Sequence, residues 1–323
     1  MNLHNNNNSL PGGESLQNQI KDQIVTVQIL VIIFLCINLL LIITFSKKEC
    51  FYTTTRYILF AVTLLSDSFL LLMSNILVIF THFHITIQVW LCIIISVVVL
   101  VYVTVTPVTL TAMTLERYVA ICMPLRHGEL CSTRNTIHCI LIIHCLSSVP
   151  CIVILSTFFV SASLNFYKQY QLCSVEVFMF YIWQQHLRSA VYQFQFLIMC
   201  IIIVFSYGKI MKVARAASGE DKKSSKKGLR TVALHGFQLL LCIIQLWCPF
   251  IEAALFQIDY SLFYNVRYAN YVMFYLAPRC LSPLIYGLRD EVFFHALKNY
   301  LGIDHVRAGS ESLCIRGSVA LGR

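Results

Sequence analysis

Ile93-Ile94-Ile95-Ser96-Val97-Val98-Val99-Leu100-Val101-Tyr102-Val103-Thr104-Val105 is the middle of an apolar run, Val89–Ile121, with no charge before Glu116. A membrane-spanning α-helix needs about 20 mostly apolar residues, and this run exceeds that before its first charge. Six further runs flank it: Ile24–Phe45, Tyr57–Phe80, Thr136–Val160, Leu187–Val213, Leu229–Gln257 and Arg267–Gly287. The pattern predicts an all-α membrane protein, a bundle of seven transmembrane helices over residues 24–287. An odd number of crossings puts the two chain ends on opposite sides.

Composition agrees. Hydrophobic residues make up 58% of the chain and charged residues 12%, against about 25% charged in a soluble domain. The net charge of +9 is distributed by topology. Lys47, Lys48, Arg56, Arg126, Arg134, the Lys209–Arg230 segment, Arg289 and Lys298 fall on one side; only Lys21, Lys168, Arg188 and Arg267 fall on the other. The positive-inside rule then puts the C-terminus in the cytoplasm and the N-terminus outside. The excess charge reads as attraction to membrane lipids and not as nucleic-acid binding.

Residues 1–23 are polar, with Asn5-Asn6-Asn7-Asn8 and Pro11-Gly12-Gly13, and predict a disordered extracellular tail without a signal peptide. Asn7-Asn8-Ser9 is a glycosylation sequon there, either used or a chance triplet. The linker 217–227 predicts solvated extensions of the fifth and sixth spans. Residues 288–301 predict a short amphipathic helix on the inner leaflet, with Val292, Phe293, Ala296, Leu297 and Tyr300 at helical spacing. Residues 302–323 form a cytoplasmic tail.

Of the 14 cysteines, only Cys92 and Cys173 fall near the oxidising outer surface. They form one disulfide or remain two free thiols. Asp67 and Arg279 fall at similar depth in the second and seventh spans, where ionisable groups are costly. They predict a buried pair, either a hinge that holds one conformation or a static bridge. Glu252 either lines a cavity or bonds a neighbouring helix. Pro107, Pro150, Pro249 and Pro283 bend their spans. Glu116-Arg117, at the cytoplasmic end of the third span, is a local ion pair that a partner can open. His82 and His84 could hold a surface metal or be inert. No His-Glu-x-x-His, phosphate-binding loop or nucleophile elbow is present, so no catalytic site, cofactor or metal is expected.

Several of these residues carry a resemblance. Cys92 precedes Arg117 at the spacing used by rhodopsin-like G-protein-coupled receptors. Asn38, Leu65-Ser66-Asp67, Glu116-Arg117-Tyr118, Tyr207, Trp247-Cys248-Pro249 and Ser282-Pro283-Leu284-Ile285-Tyr286 are similar to that class's motifs in order and depth. Ser282 stands where the class has Asn. Met113–Leu125, Pro283–Arg289 and Lys227–Gly236 resemble the odorant receptors, most of all their divergent fish and amphibian branch. The resemblance implies a small-molecule odorant held by Val99, Val103, Thr104, Tyr192, Gln195, Phe250, Ile251, Val272 and Leu276 above Trp247, with Thr104, Tyr192 and Gln195 as hydrogen-bonding groups. It implies a switch built from Glu116, Arg117, Tyr118, Tyr207, Pro249, Pro283 and Tyr286. It also implies a heterotrimeric G protein of the olfactory stimulatory type, cyclic AMP, and a place in the plasma membrane of sensory cilia. Arg279 beside Asp67 departs from the class, since the arginine stands where a sodium ion would. An amine receptor would want an acid at Val99. A peptide receptor, transporter or membrane enzyme finds less support, and dimerisation is left open.

Overall fold

The computed structural model describes residues 11–47, 50–217, 219–256, 258–281 and 291–300. Asn7, Ser282, Pro283, Tyr286 and the 302–323 tail lie outside the described residues.

The chain runs through α1 (Pro11–Ser46), α2 (Cys50–Thr53), α3 (Thr55–His82), β1 (Thr86–Gln88), α4 (Val89–Cys122), α5 (Pro124–Leu130), α6 (Thr133–Ser161), β2 (Tyr170–Leu172), α7 (Ile182–Ala216), α8 (Gly219–Phe256) and α9 (Tyr260–Asn270). A π-helical turn at Tyr271–Leu276 leads into α10 (277–281), and α11 is Glu291–Tyr300. Among the described residues, six helices are long and apolar enough to cross a membrane: α1, α3, α4, α6, α7 and α8. The seventh expected span, Arg267–Gly287, falls on a helical segment that starts at Tyr260, is interrupted by the π turn and is described only to Leu281.

The helices start where local chemistry dictates. Pro11 opens α1, where its fixed φ suits the first helical turn. This start corrects the expectation of a disordered 1–23 tail for residues 11–23. The polar first turns are held by α9, because Gln19 and Gln23 both donate to Asn265 Oδ1, at 3.1 and 2.7 Å. Ser132 caps α6 by accepting from the Asn135 amide, and Asp259 caps α9 through Ser261 and Leu262. Both supply acceptors to otherwise unpaired amides. The 217–227 linker is almost entirely helix, since α7 ends at Ala216 and α8 begins at Gly219.

The bundle is apolar on the outside. Val25, Ile32, Leu39, Leu141, Ile152 and Val204 are exposed, whereas Asn38, Thr63, Ser66, Asp67, Ser96 and Ser147 are buried. Hydrocarbon offers no hydrogen-bond partners, so hydroxyls bond backward to the backbone. Thr109, Thr111 and Thr114 donate to the carbonyls of Val105, Pro107 and Leu110. α4 runs through the middle, in contact with α3, α6, α7 and α8. At the cytoplasmic end Phe293 of α11 is fully buried against Phe51 and Phe60.

The outer end is closed by chain and not by lipid. β1 and β2 pair antiparallel, Ile87 opposite Gln171. Beside them a disulfide joins Cys92 to Cys173 with a Cα–Cα distance of 5.4 Å. Gln184 fastens the far side of this cap: its Oε1 accepts from the amides of Phe180 and Tyr181, and its Nε2 donates to Ser161 Oγ at 2.9 Å. The disulfide closes a long loop, so Cys173→Ser is expected to cost about 2–5 kcal/mol. Thermal unfolding of the detergent-solubilised protein measures this, and an unchanged midpoint would show that the cap stands without the bond.

Candidate functional site

Below that cap lies a cavity of about 220 Å³ between α4, α7, α8 and the 271–276 turn. Val99, Val103, Thr104 and Tyr192 line it, as does Pro249. So do Leu100, Val175, Arg188, Ser189, Phe196, Cys242, Gln245 and Tyr275, which the sequence reading did not assign.

Helix register decides the membership. On α8 the residues that line it are Cys242, Gln245 and Pro249, spaced at i, i+3 and i+7 along one face, with Pro249 itself exposed at the cavity's edge. Trp247 and Ile251 therefore fall on the outward side, 52% and 48% exposed. Phe250 is half-buried with its ring 6.1 Å from that of Trp247. None of the three lines the cavity, which corrects the expectation that Trp247 forms its floor. On α7 the inward set is Arg188, Ser189, Tyr192 and Phe196. Gln195 lies off this face and donates to the Leu146 carbonyl of α6 at 3.2 Å. In the seventh segment Val272, Tyr275 and Leu276 all pack with Val27, Val31 and Leu71, and of the three Tyr275 also lines the cavity. The π turn shifts the register there, which motif spacing does not reveal. A cation in an otherwise apolar span was the signal that could have identified Arg188.

The polar groups in the cavity are unequal. The Thr104 hydroxyl is engaged by the carbonyls of Val101 and Ser147, at 2.8 and 2.9 Å. The Tyr192 hydroxyl is buried without a hydrogen-bond partner. A second, adjoining cavity shares Gln245, Pro249 and Tyr275 and contains Glu252. Its carboxylate accepts from Asn270 Nδ2 at 3.0 Å and lies 4.0 Å from Arg267 Nε. Glu252 thus does both things considered for it: it lines a cavity and binds the neighbouring helix.

Asp67 and Arg279 are both buried, yet no direct ion pair joins them among the described residues. Each has a nearer partner. Asp67 Oδ1 accepts from Thr106 Oγ1 at 2.6 Å. The Arg279 guanidinium donates to the Tyr275 carbonyl and lies 4.0 Å from the centroid of that residue's ring. This corrects the expected contact pair: the two charges share a depth and an electrostatic neighbourhood, not a hydrogen bond.

At the cytoplasmic end Glu116 Oε2 lies 3.5 Å from Arg117 Nε, and its Oε1 lies 3.5 Å from His127 Nε2 of α5. The His127 contact becomes an ion pair when the imidazole is protonated. Tyr118 packs its ring 5.9 Å from Phe205, and Tyr207 borders the same core. α8 lies close against α4 here. Thr114 Oγ1 and His235 Nδ1 are 3.3 Å apart. Gly228 lies so close to Ile121 that a Cβ would collide with its side chain. In the adjacent turn, burial and then the Glu116 charge push the Cys131 thiol up to about 11, so it stays protonated. Among the described residues no cluster of His, Cys, Asp or Glu could hold a metal ion, His82 and His84 included.

Residues 37–286 match the model of the seven-transmembrane receptor, rhodopsin family. The chain belongs to that family. It is 42% identical to odorant receptor 131-2 of Danio rerio over 99% of both chains. It is also 27% identical to galanin receptor 2a of Danio rerio, over 60% of this chain and 53% of that one. It is 25% identical to galanin receptor type 2 of Homo sapiens, over 57% of this chain and 48% of that one. As a rhodopsin-family member the chain is a multi-pass membrane receptor and not an enzyme, and it answers a small ligand through a G protein. The Glu116 contacts tie the cytoplasmic end of α4 to its own Arg117 and to α5. Removing the charge with Glu116→Gln is expected to weaken that arrangement by up to about 1 kcal/mol, about fivefold in ligand-independent signalling. A basal reporter assay at matched surface level tests this, and unchanged basal output would exclude Glu116 as a restraint.

Proposed function

We propose that this protein is an odorant receptor that binds a small molecule in the 220 Å³ cavity and activates a heterotrimeric G protein of the olfactory stimulatory type, raising cyclic AMP. The observation that carries the reading is the continuity of α8. Pro249 borders the cavity, and the same helix carries His235 and Gly228 against α4 beside Glu116 and Arg117. The full-length similarity to a fish odorant receptor supports the same choice. The cavity volume lies below the roughly 300–1,000 Å³ of drug-sized sites, which favours a small ligand over a peptide.

The mechanism is a shift of population. The ligand must bind the open-inside arrangement better than the closed one. A shift from 1:99 to 99:1 takes about 5.5 kcal/mol of differential affinity. Ligand packed against Val99, Val103, Tyr192 and Pro249 moves α8 at its proline. The cytoplasmic half of α8 then leaves Thr114 and Ile121, Glu116 releases Arg117, and Arg117 with Tyr118 and Tyr207 receives the G protein. Pro283 and Tyr286 complete this switch in the proposal, and Thr104 serves as a packing wall. Asp67 and Arg279 bias the balance from the middle of the bundle. The receptor lies in the plasma membrane of sensory cilia with its N-terminus outside, carrying glycan at Asn7, and its C-terminus in the cytoplasm.

Arg117→Ala is expected to abolish the ligand-evoked cyclic-AMP response while surface level stays matched. A full response in that variant would rule out signalling through the Glu116–Arg117 latch.

A further inference from the structure

The cavity contains a charge that no ion pair answers among the described residues. Arg188, on α7, is half-buried and lines the cavity. Among the described residues it makes no ion pair and no hydrogen bond. No carboxylate lines the cavity with it. Glu176, in the outer cap, acts on it only from a distance and is itself exposed. One helical turn along α7 from Arg188, Tyr192 is 5% exposed, and its buried hydroxyl has no hydrogen-bond partner among the described residues. The remaining walls nearby are Leu100, Val103, Val175 and Phe196. A cation and a hydroxyl donor, side by side in an apolar chamber and both unsatisfied, represent a standing desolvation cost.

We propose that Arg188 and Tyr192 form an anion-binding end of the main cavity, and that the ligand is a small organic acid with an apolar body and one carboxylate. This rests on the odorant-receptor reading above and names its ligand class. Arginine's planar fork suits a carboxylate held bidentately, and the tyrosine hydroxyl supplies a further donor. The apolar body lies along α4 and α7. An amine is disfavoured because its charge would meet Arg188. The nearby Glu252 offers no alternative cation site, since Asn270 and Arg267 already engage it.

The test uses the full-length receptor at the surface of reporter cells. Pentanoate, hexanoate and phenylacetate are compared with their primary amides and with the matching amines. The acids are expected to activate, with the amides weaker by about 30-fold or more, the usual scale for leaving a buried charge unpaired. Arg188→Gln is expected to reverse that rank, so that amide equals or exceeds acid. A variant that had merely lost its fold would answer neither. Should Arg188→Gln be silent, Arg188→Lys decides: it keeps the cation and is expected to keep the preference for acid over amide. Tyr192→Phe is expected to lower acid potency several-fold. Amides or amines as potent as acids on the unaltered receptor, an acid preference that survives Arg188→Gln, or one lost in Arg188→Lys would each overturn the assignment. Silence towards every acid overturns it too. A response to amides or amines in the same cells then leaves the odorant-receptor reading standing, whereas silence towards all three classes counts against both.

Discussion

Hydrocarbon cannot hydrogen-bond, and every other feature of this receptor is arranged around that fact. Each span must satisfy its own backbone, so each is helical. Each polar side chain must find a partner inside the bundle. The threonines of α4 therefore turn back onto their own helix, Asp67 takes Thr106, and Gln238 of α8 donates to the Pro278 carbonyl at 2.6 Å. These bonds draw α3, α4, α8 and the seventh segment around a polar interior. The apolar side chains are left to face the lipid.

Groups that escape this rule are informative for the same reason. The Arg188 guanidinium and the Tyr192 hydroxyl both border the cavity, and among the described residues neither makes a hydrogen bond or an ion pair. At the other end, Glu116 divides its carboxylate between Arg117 and His127 at 3.5 Å each, a longer separation than a strong charge-assisted bond. In the proposed mechanism the cavity's polar end takes the ligand, and the Glu116–Arg117 contact is the one that opens. α8 spans the distance between them, bordering the cavity at Pro249 and lying against α4 at His235 and Gly228.

The outer cap has a separate role. The Cys92–Cys173 bond, the β1–β2 pair and the Gln184 contacts hold Val175 over the cavity. A roof of chain, not lipid, therefore defines one wall of the ligand space.

Hydropathy and motif order were enough to determine the membrane class, the helical bundle and the receptor family, because a run of about 20 apolar residues has few structural alternatives. The same applies to the Glu116–Arg117 pair, whose members adjoin in sequence. Facing and contact were decided by tertiary structure. Trp247 and Pro249 are two residues apart, and a helix turns about 100° per residue, so one faces outward and the other borders the cavity. The π turn at Tyr271–Leu276 sets Val272, Tyr275 and Leu276 against α1 and α3, with Tyr275 also bordering the cavity. Asp67 and Arg279 share a depth that the sequence could count, but Thr106 and Tyr275 lie closer to them than they do to each other, and only the packed bundle reveals that.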